Sequence, residues 1–435
     1  MSNYREEMYS LREGLQEEDY VFATYLIASN TKDCFQFAGA LAAEQSTGSW
    51  IRLPGENEDM MNRHGGKVIQ IFEVPDYEFE NPEDKRIFVI EVAFPTKNFG
   101  PQIPMLLTSV VGVISMMGNL KLVNLTFSKK YLAEFSGPKF GMEGIRKYLN
   151  KNDQPLIGCV IKPCVGLTPM QTADYFYEVA SGGVDLVKDD EKIANTAYST
   201  IMERVASCMH AEKRVFEETG RRTLYAVNIT DTPKRMLDNA KAAIDAGANM
   251  LMVCHIPAGF GMLQDLVESS EINLPIMVHP DLAGSISWSS TSGISSNLML
   301  GKLPRICGAD ISDFPNCYGR MPIMKEKYIQ IAYTLRVPIP GIRSTCPMVG
   351  GAMHPGMVKL VINDLGNDVI VGAGGSIAAH PMGPRAGAKA MRQAVDAVIN
   401  FQDLNTQSAE HKELEAAIKM WGIVGEDERT TRGIR

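Results

Sequence analysis

The sequence is short of several features that would each have pointed elsewhere. It has no run of about 18 apolar residues, the length a membrane-spanning helix needs. It has no basic surplus: 43 lysines and arginines face 51 aspartates and glutamates, a formal net charge of −8. Without a basic cluster there is no electrostatic footprint for nucleic acid or an anionic membrane. There is no CxxC pair. The eight cysteines (34, 159, 164, 208, 254, 307, 317 and 346) are scattered, several in apolar runs such as GCVIKPC and LMVCHIP. That pattern argues for reduced thiols rather than a disulfide frame or a zinc site. Met1 to Tyr20 is charged and lacks the apolar core of a secretion signal, so a cytoplasmic protein is expected.

What is present is ordinary globular composition, 45% hydrophobic and 22% charged over 435 residues. That length exceeds one compact domain and suits a barrel of about 250 residues with a smaller partner. Two textures divide the chain near residue 150. Residues 1–150 read as α+β, of ferredoxin-like type: Tyr20–Ile27, Lys67–Val74, Arg86–Phe94 and Leu120–Leu125 pattern as strands, and Asp33–Ala43 has helical apolar spacing. Residues 151–435 repeat a short apolar run followed by a helix-period segment. The runs are Leu156–Ile161, Val184–Val187, Thr223–Val227, Met250–Cys254, Pro275–Val278, Ala309–Ile311, Thr345–Met348 and Asp368–Val371. Eight such units predict a (β/α)8 TIM barrel with a C-terminal helical tail. A doubly wound sheet is the rival, but no GxGxxG follows the first of these runs. The 25 methionines read as gap-fillers in strand and helix cores.

In such barrels the chemistry lies at the carboxyl ends of the strands. Here those ends carry Lys162, Lys188-Asp189-Asp190-Glu191, Asn228, His255, His279, Asp313, Gly350-Gly351 and Gly374-Gly375. The run GGVDLVKDDEKI is the most informative. Lys188 and Asp190 are two apart at a strand end and face the same way, while Asp189 points away. With Glu191, two carboxylates make a hard oxygen site suited to Mg²⁺. A lysine beside them makes sense as a salt bridge, or as a carbamate formed with CO₂ that supplies a third oxygen. A solvated charge run is the plain alternative, but it would not follow directly on an apolar strand. The Gly350-Gly351 and Gly374-Gly375 turns each expose backbone N–H groups that an anion can approach, or else serve tight turns alone.

These residues carry a resemblance. GGVDLVKDDE resembles the metal motif of the RuBisCO large chain with its carbamylated lysine, and GCVIKPCVGL resembles that family's GCxIKPKxGL. EQSTGSW, NFGPQIPMLLTSVVG and GAGGSIAAHPMGPRAGAKAMRQA resemble further family segments in the right order over about residues 20–400. The layout is more similar to RuBisCO-like (form IV) proteins than to true carboxylases. The resemblance implies that Lys188, as a carbamate, Asp190 and Glu191 bind Mg²⁺. It makes Lys162 the lysine that handles the enolisation proton, with a pKa expected to be lowered by enclosure near a cation. It makes His279 a contact to substrate hydroxyls. It gives Glu44, Ser49 and Trp50 to a neighbouring subunit's site, hence a homodimer with shared active sites. Ser49 with Gly350, Gly351, Gly374 and Gly375 would hold one phosphate.

The departures from the family pattern are as telling. Arg320, in DFPNCYGRM, stands where carboxylases have a mobile lysine that reaches CO₂, and arginine is a poor substitute for it. Cys164 replaces the second lysine of the KPK motif. Val113 replaces an asparagine, unless Asn119 serves. The second phosphate site aligns with Pro280, Asp313 and Val349, none of which gives phosphate a charge-assisted bond. Arg343, His354 and His255 lie near strand ends and are candidates for the far end of the substrate, or structural. The expectation is a Mg²⁺-dependent enolase or isomerase of a singly phosphorylated keto sugar, without CO₂ fixation. A decarboxylase of a β-keto sugar-acid phosphate is the alternative, and a non-catalytic sugar-phosphate-binding relative is the alternative of another class.

Overall fold

The computed structural model describes residues 6–29, 33–48, 53–79 and 86–425, and the chain divides into two compact units. The first is Met1–Ser136 with Leu282–Met299 and Pro340–Ile342; the second is Gly137–Asp281, Leu300–Ile339 and Arg343–Arg435.

In the first unit, β1 (Tyr20–Ser29) lies between β3 (Arg86–Pro95) and β4 (Leu120–Phe127), antiparallel to both, and β2 (Lys67–Glu73) pairs the far side of β3. A two-residue strand, Gly293–Ile294, adds in parallel to β4. The β-branched and aromatic side chains of β1 and β3, among them Tyr25, Ile27, Ile90, Val92 and Phe94, are buried. The helix Cys34–Glu44 starts where the Asp33 side chain accepts from the Gln36 amide at 2.8 Å, and it buries Ala38, Leu41 and Ala42.

The second unit is a closed parallel barrel. Its strands are β5 (Leu156–Val160), β6 (Leu186–Lys188), β7 (Leu224–Asn228), β8 (Met250–Val253), β9 (Ile276–Val278), then, counting Gly293–Ile294 as β10, β11 (Ile311–Pro315), β12 (Cys346–Gly350) and β13 (Ile370–Ala373), which closes on β5. Each of the eight expected runs overlaps a strand, Ala309–Ile311 only at Ile311. The β6 run is displaced because the Asp185 carboxylate, not a ladder carbonyl, accepts from the Ile157 amide at 2.9 Å. Helices such as Pro169–Ser181, with its Thr168/Gln171 capping box, and Ile201–Thr219 follow the strands.

The barrel interior is filled on its amino-terminal side. Met142, Ile145 and Leu149 of the helix Gly141–Leu149 cluster with Leu156, Leu186, Leu224, Met250, Met252, Met277, Met348 and Ile370. Met348 fills the space left by two glycines: a Cβ on Gly158 or Gly372 would lie 2.8 or 2.7 Å from its Cε. This packing leaves the carboxyl ends of the strands as the side on which polar groups gather. Among the described residues no helix is long and apolar enough to cross a membrane.

Candidate active site

The polar cluster is assembled from β5, β6, β9 and β11. Lys188 ends β6 and is almost fully buried; its Nζ donates to the Asp189 carbonyl at 3.1 Å and lies 3.5 Å from Glu191 Oε2. Lys162, two residues beyond β5, donates to Asp190 Oδ2 at 2.5 Å and lies 3.1 Å from the Cys164 sulfur. His279 follows β9, with Nδ1 2.9 Å from Asp281 Oδ2 and Nε2 3.5 Å from both Glu191 and Asp313 carboxylate oxygens. The structure therefore brings Lys162, Lys188, Asp190, Glu191 and His279 to one end of the barrel, with Asp281 and Asp313 beside them.

What holds the cluster lies behind it. Asp189 turns away from Asp190 and is buried against Arg204, whose Nη2 and Nε donate to Oδ2 at 3.0 and 3.3 Å. The Tyr225 hydroxyl donates to Asp189 Oδ1 at 2.6 Å, and the Asn228 amide to Oδ2 at 3.0 Å. The Asn228 side-chain amide donates to the carbonyls of Glu191 and Ile193 at 3.1 and 3.0 Å. The loop carrying Asp190 and Glu191 is thus fixed at both ends by buried hydrogen bonds, which lets two carboxylates be held close together.

The electrostatics follow from this geometry. Burial alone would raise the Asp190 pKa, but the Lys162 hydrogen bond and charge overcome it and hold the carboxyl well below its usual range. Glu191 is lowered too, with burial outweighed by the charges of His279 and Lys188. Asp313 is raised by burial, only partly offset by its interactions with His279 and Lys188. Lys162 departs from the lowered pKa expected of it. Burial pushes it down, but hydrogen bonds to Asp190 and Cys164 leave it above the ordinary lysine value.

The donor set fits a hard divalent cation. The exposed Lys192 ammonium stands in for one: it lies 3.2 Å from Asp190 Oδ1 and 3.6 Å from Glu191 Oε1, so the two carboxylates present oxygens to a common point. Carboxylate oxygens in that arrangement suit Mg²⁺. Lys188 Nζ lies 3.5 Å from Glu191 Oε2, and only as a carbamate would it offer oxygen instead of positive charge.

The glycine turns sit on neighbouring strand ends. Gly350 ends β12; its carbonyl accepts from the Asn316 amide and side chain at 2.9 and 2.6 Å, and Gly351, at φ +89°, accepts from the same side chain at 3.0 Å. A Cβ on Gly374 would lie 3.1 Å from Val160 Cβ and 3.4 Å from Lys162 Cε, whereas one on Gly375 would meet nothing within 4 Å. Arg320 is exposed in the loop after β11. Glu44 ends the first unit's helix Cys34–Glu44 and is half-buried, and Ser49 and Trp50 lie outside the described residues. Arg343 precedes β12 and bonds the Lys139 carbonyl at 2.5 Å, away from the strand's carboxyl end. His255 is fully buried, with Nδ1 3.1 Å from the His279 carbonyl.

Four residues of this region were missed by sequence reasoning: Asp281, Cys254, Lys192 and Arg204. Arg204 left a signal, because it occupies a position on the apolar face of its helix with Ile201, Val205, Cys208 and Val215. Asp281, two residues beyond His279, was visible only as part of VHPD.

Residues 141–421 match the family described as ribulose bisphosphate carboxylase large chain, catalytic domain, and residues 4–131 match its N-terminal domain. The ribulose bisphosphate carboxylase-like protein of Archaeoglobus fulgidus is 45% identical over 414 residues, 94% of each chain. The 2,3-diketo-5-methylthiopentyl-1-phosphate enolase of Bacillus cytotoxicus is 37% identical over 405 residues, 92% of this chain and 97% of that one. Among solved structures, a rubisco-like protein (MtnW) from Alicyclobacillus acidocaldarius superposes with a TM-score of 0.86 at 32% identity, covering 93% of this chain and all of that one.

Proposed function

The chain belongs to the RuBisCO large-chain family as a RuBisCO-like protein, and from that premise we propose that it enolises a singly phosphorylated keto substrate by taking a proton from the carbon beside a carbonyl. The observation that carries this reading is the convergence of Lys162, Lys188, Asp190, Glu191 and His279 on one end of the barrel. In it, Asp190, Glu191 and Lys188 as a carbamate hold Mg²⁺. Bound there, the ion would supply Lewis acidity toward the substrate carbonyl and toward negative charge developing on its oxygen.

The chain's own groups then divide the work. Asp190 keeps Lys162 in the charged form here. Lys162, or Lys188 as a carbamate, is placed to accept the substrate proton, and a cation on the Asp190 oxygens would compete for the carboxylate that holds the Lys162 ammonium. His279, oriented by Asp281 through Nδ1, presents Nε2 to substrate hydroxyls. The backbone turns at Gly350-Gly351 and Gly374-Gly375 receive the phosphate, together with Ser49. Ser49, Trp50 and Glu44 come from a neighbouring subunit of a homodimer, and Arg320 contacts substrate from its loop.

A single phosphate is supported by Asp313. Where carboxylases bind a second phosphate, this chain has a buried carboxylate 3.5 Å from His279, which repels an anion. The enolase name of the Bacillus cytotoxicus relative makes 2,3-diketo-5-methylthiopentyl-1-phosphate the first substrate to try. The test is tautomerisation of that compound with Mg²⁺ and bicarbonate present, followed by ultraviolet absorbance of the enol, with intact-mass measurement for one added CO₂ on Lys188. Turnover with carbamylation supports the reading. Faster turnover of ribulose bisphosphate than of monophosphorylated ketones would refute it.

A further inference from the structure

We propose that Cys254, His279 and Asp281 form a second cation site, selective for a thiophilic ion such as Zn²⁺ and separate from the carboxylate site beside it. β8 and β9 run parallel with Val253 opposite Val278, and the His279 amide donates to the Val253 carbonyl at 2.9 Å. The residues that follow each strand, Cys254 and His279, are therefore side by side, and Asp281 turns back onto the His279 ring at 2.9 Å. One ligand atom from each of the three lies within 4.8 Å of the others.

The chemistry of the trio differs from that of Asp190 and Glu191. Thiolate and imidazole nitrogen favour zinc-like ions over Mg²⁺, and three protein ligands leave a fourth position for water or a ligand atom. Cys254 is 4% exposed, yet its sulfur faces polar partners: besides His279 and Asp281, it lies 3.9 Å from the Glu191 carbonyl. A cysteine serving only as a small apolar filler would be set among hydrocarbon. Carboxylates also lie close by, since Glu191 and Asp313 oxygens are both 3.5 Å from His279 Nε2. On binding, the thiol proton passes to solvent and Cys254 coordinates as thiolate. His279 and Asp281 lie beyond the next strand in sequence, so the trio comes together only when the barrel closes.

Occupancy would tie the His279 ring to the ion and withdraw it from substrate, so Zn²⁺ would inhibit. That consequence rests on the function proposed above, whereas binding itself does not. The test uses the full-length protein with Mg²⁺ and bicarbonate present, titrated with Co²⁺ as a spectroscopic probe. One equivalent should give a thiolate-to-cobalt charge-transfer band that Zn²⁺ displaces. The band should vanish in Cys254→Ser and persist in Cys164→Ser, and Asp281→Asn should weaken Co²⁺ binding by about tenfold or more. Absence of the band, or its survival in Cys254→Ser, overturns the site. If Cys254→Ser does not fold, an unchanged affinity in Asp281→Asn does the same. In the activity arm, one equivalent of Zn²⁺ should inhibit the native protein and spare Cys254→Ser; a displaced cobalt band without inhibition refutes the consequence for the reaction.

Discussion

Lys162 shows how a single contact can reverse an expectation drawn from residue types. A lysine enclosed at a barrel mouth near a cation should lose its proton easily. With Asp190 2.5 Å away, the ammonium is stabilised instead. Replacing Lys162 by Met should cut the enolisation rate by about 10²–10⁴-fold while leaving the far-ultraviolet circular dichroism unchanged. A loss below threefold would remove Lys162 from the chemistry. Lys188, Asp190 and Glu191 were readable in sequence because a merely solvated charge run rarely follows directly on an apolar strand. Asp281 and Lys192 were not, since nothing in HPD or DEK tells which charged neighbour folds back on the cluster.

Among the elements, the loop after β6 depends on a buried ion pair. Asp189 is 2% exposed and Arg204 is fully buried, and four further hydrogen bonds to the pair, with Tyr225, Asn228 and the Ser199 and Ala194 carbonyls, complete the network. Removing one member leaves the other charge buried and uncompensated. Arg204→Met should destabilise the protein by about 3–5 kcal/mol in urea unfolding, and restoring neutrality with Asp189→Asn in the same chain should recover part of that loss. A change under about 1 kcal/mol would show that the pair does not anchor the loop. All eight barrel strands could be read from apolar runs and their spacing, because a parallel strand covered on both faces is nearly continuous hydrocarbon. Their exact limits could not, as Asp185 shows by replacing a ladder acceptor. The strand Gly293–Ile294 left no signal: two residues joining a sheet from a distant part of the sequence have no period to detect.

For the whole molecule, two predictions separate assembly from stability. If Glu44 serves a neighbouring subunit, mixing and refolding inactive Glu44→Gln with inactive Lys162→Met chains should restore about a quarter of native activity, because half of the dimers then hold one intact site of two. No recovery on mixing would place Glu44 outside the site. Stability should also vary with pH through His354, whose Nδ1 is buried without a partner and whose pKa burial lowers from 6.5 to about 4. The unfolded chain binds the proton first, so this contribution is fully present above pH 6.5 and declines as pH falls towards 4, by up to about 1.4 kcal/mol per unit. Asp310, raised to about 6 by burial, acts with the opposite sign. Comparing native protein with His354→Gln isolates the histidine: the native protein's advantage in urea unfolding should shrink between about pH 6.5 and 4.5, and a constant difference would contradict the assignment.

The central claim is proton abstraction next to a carbonyl. Its most direct measurement is solvent hydrogen exchange by NMR, with Mg²⁺ and bicarbonate in D₂O, on the singly phosphorylated ketone proposed as substrate and on a panel of keto-sugar phosphates. Deuterium is expected at the carbon beside the carbonyl of a monophosphorylated compound, and Lys188→Ala should abolish it. No exchange with any member of the panel, from protein that carries the carbamate, would contradict it.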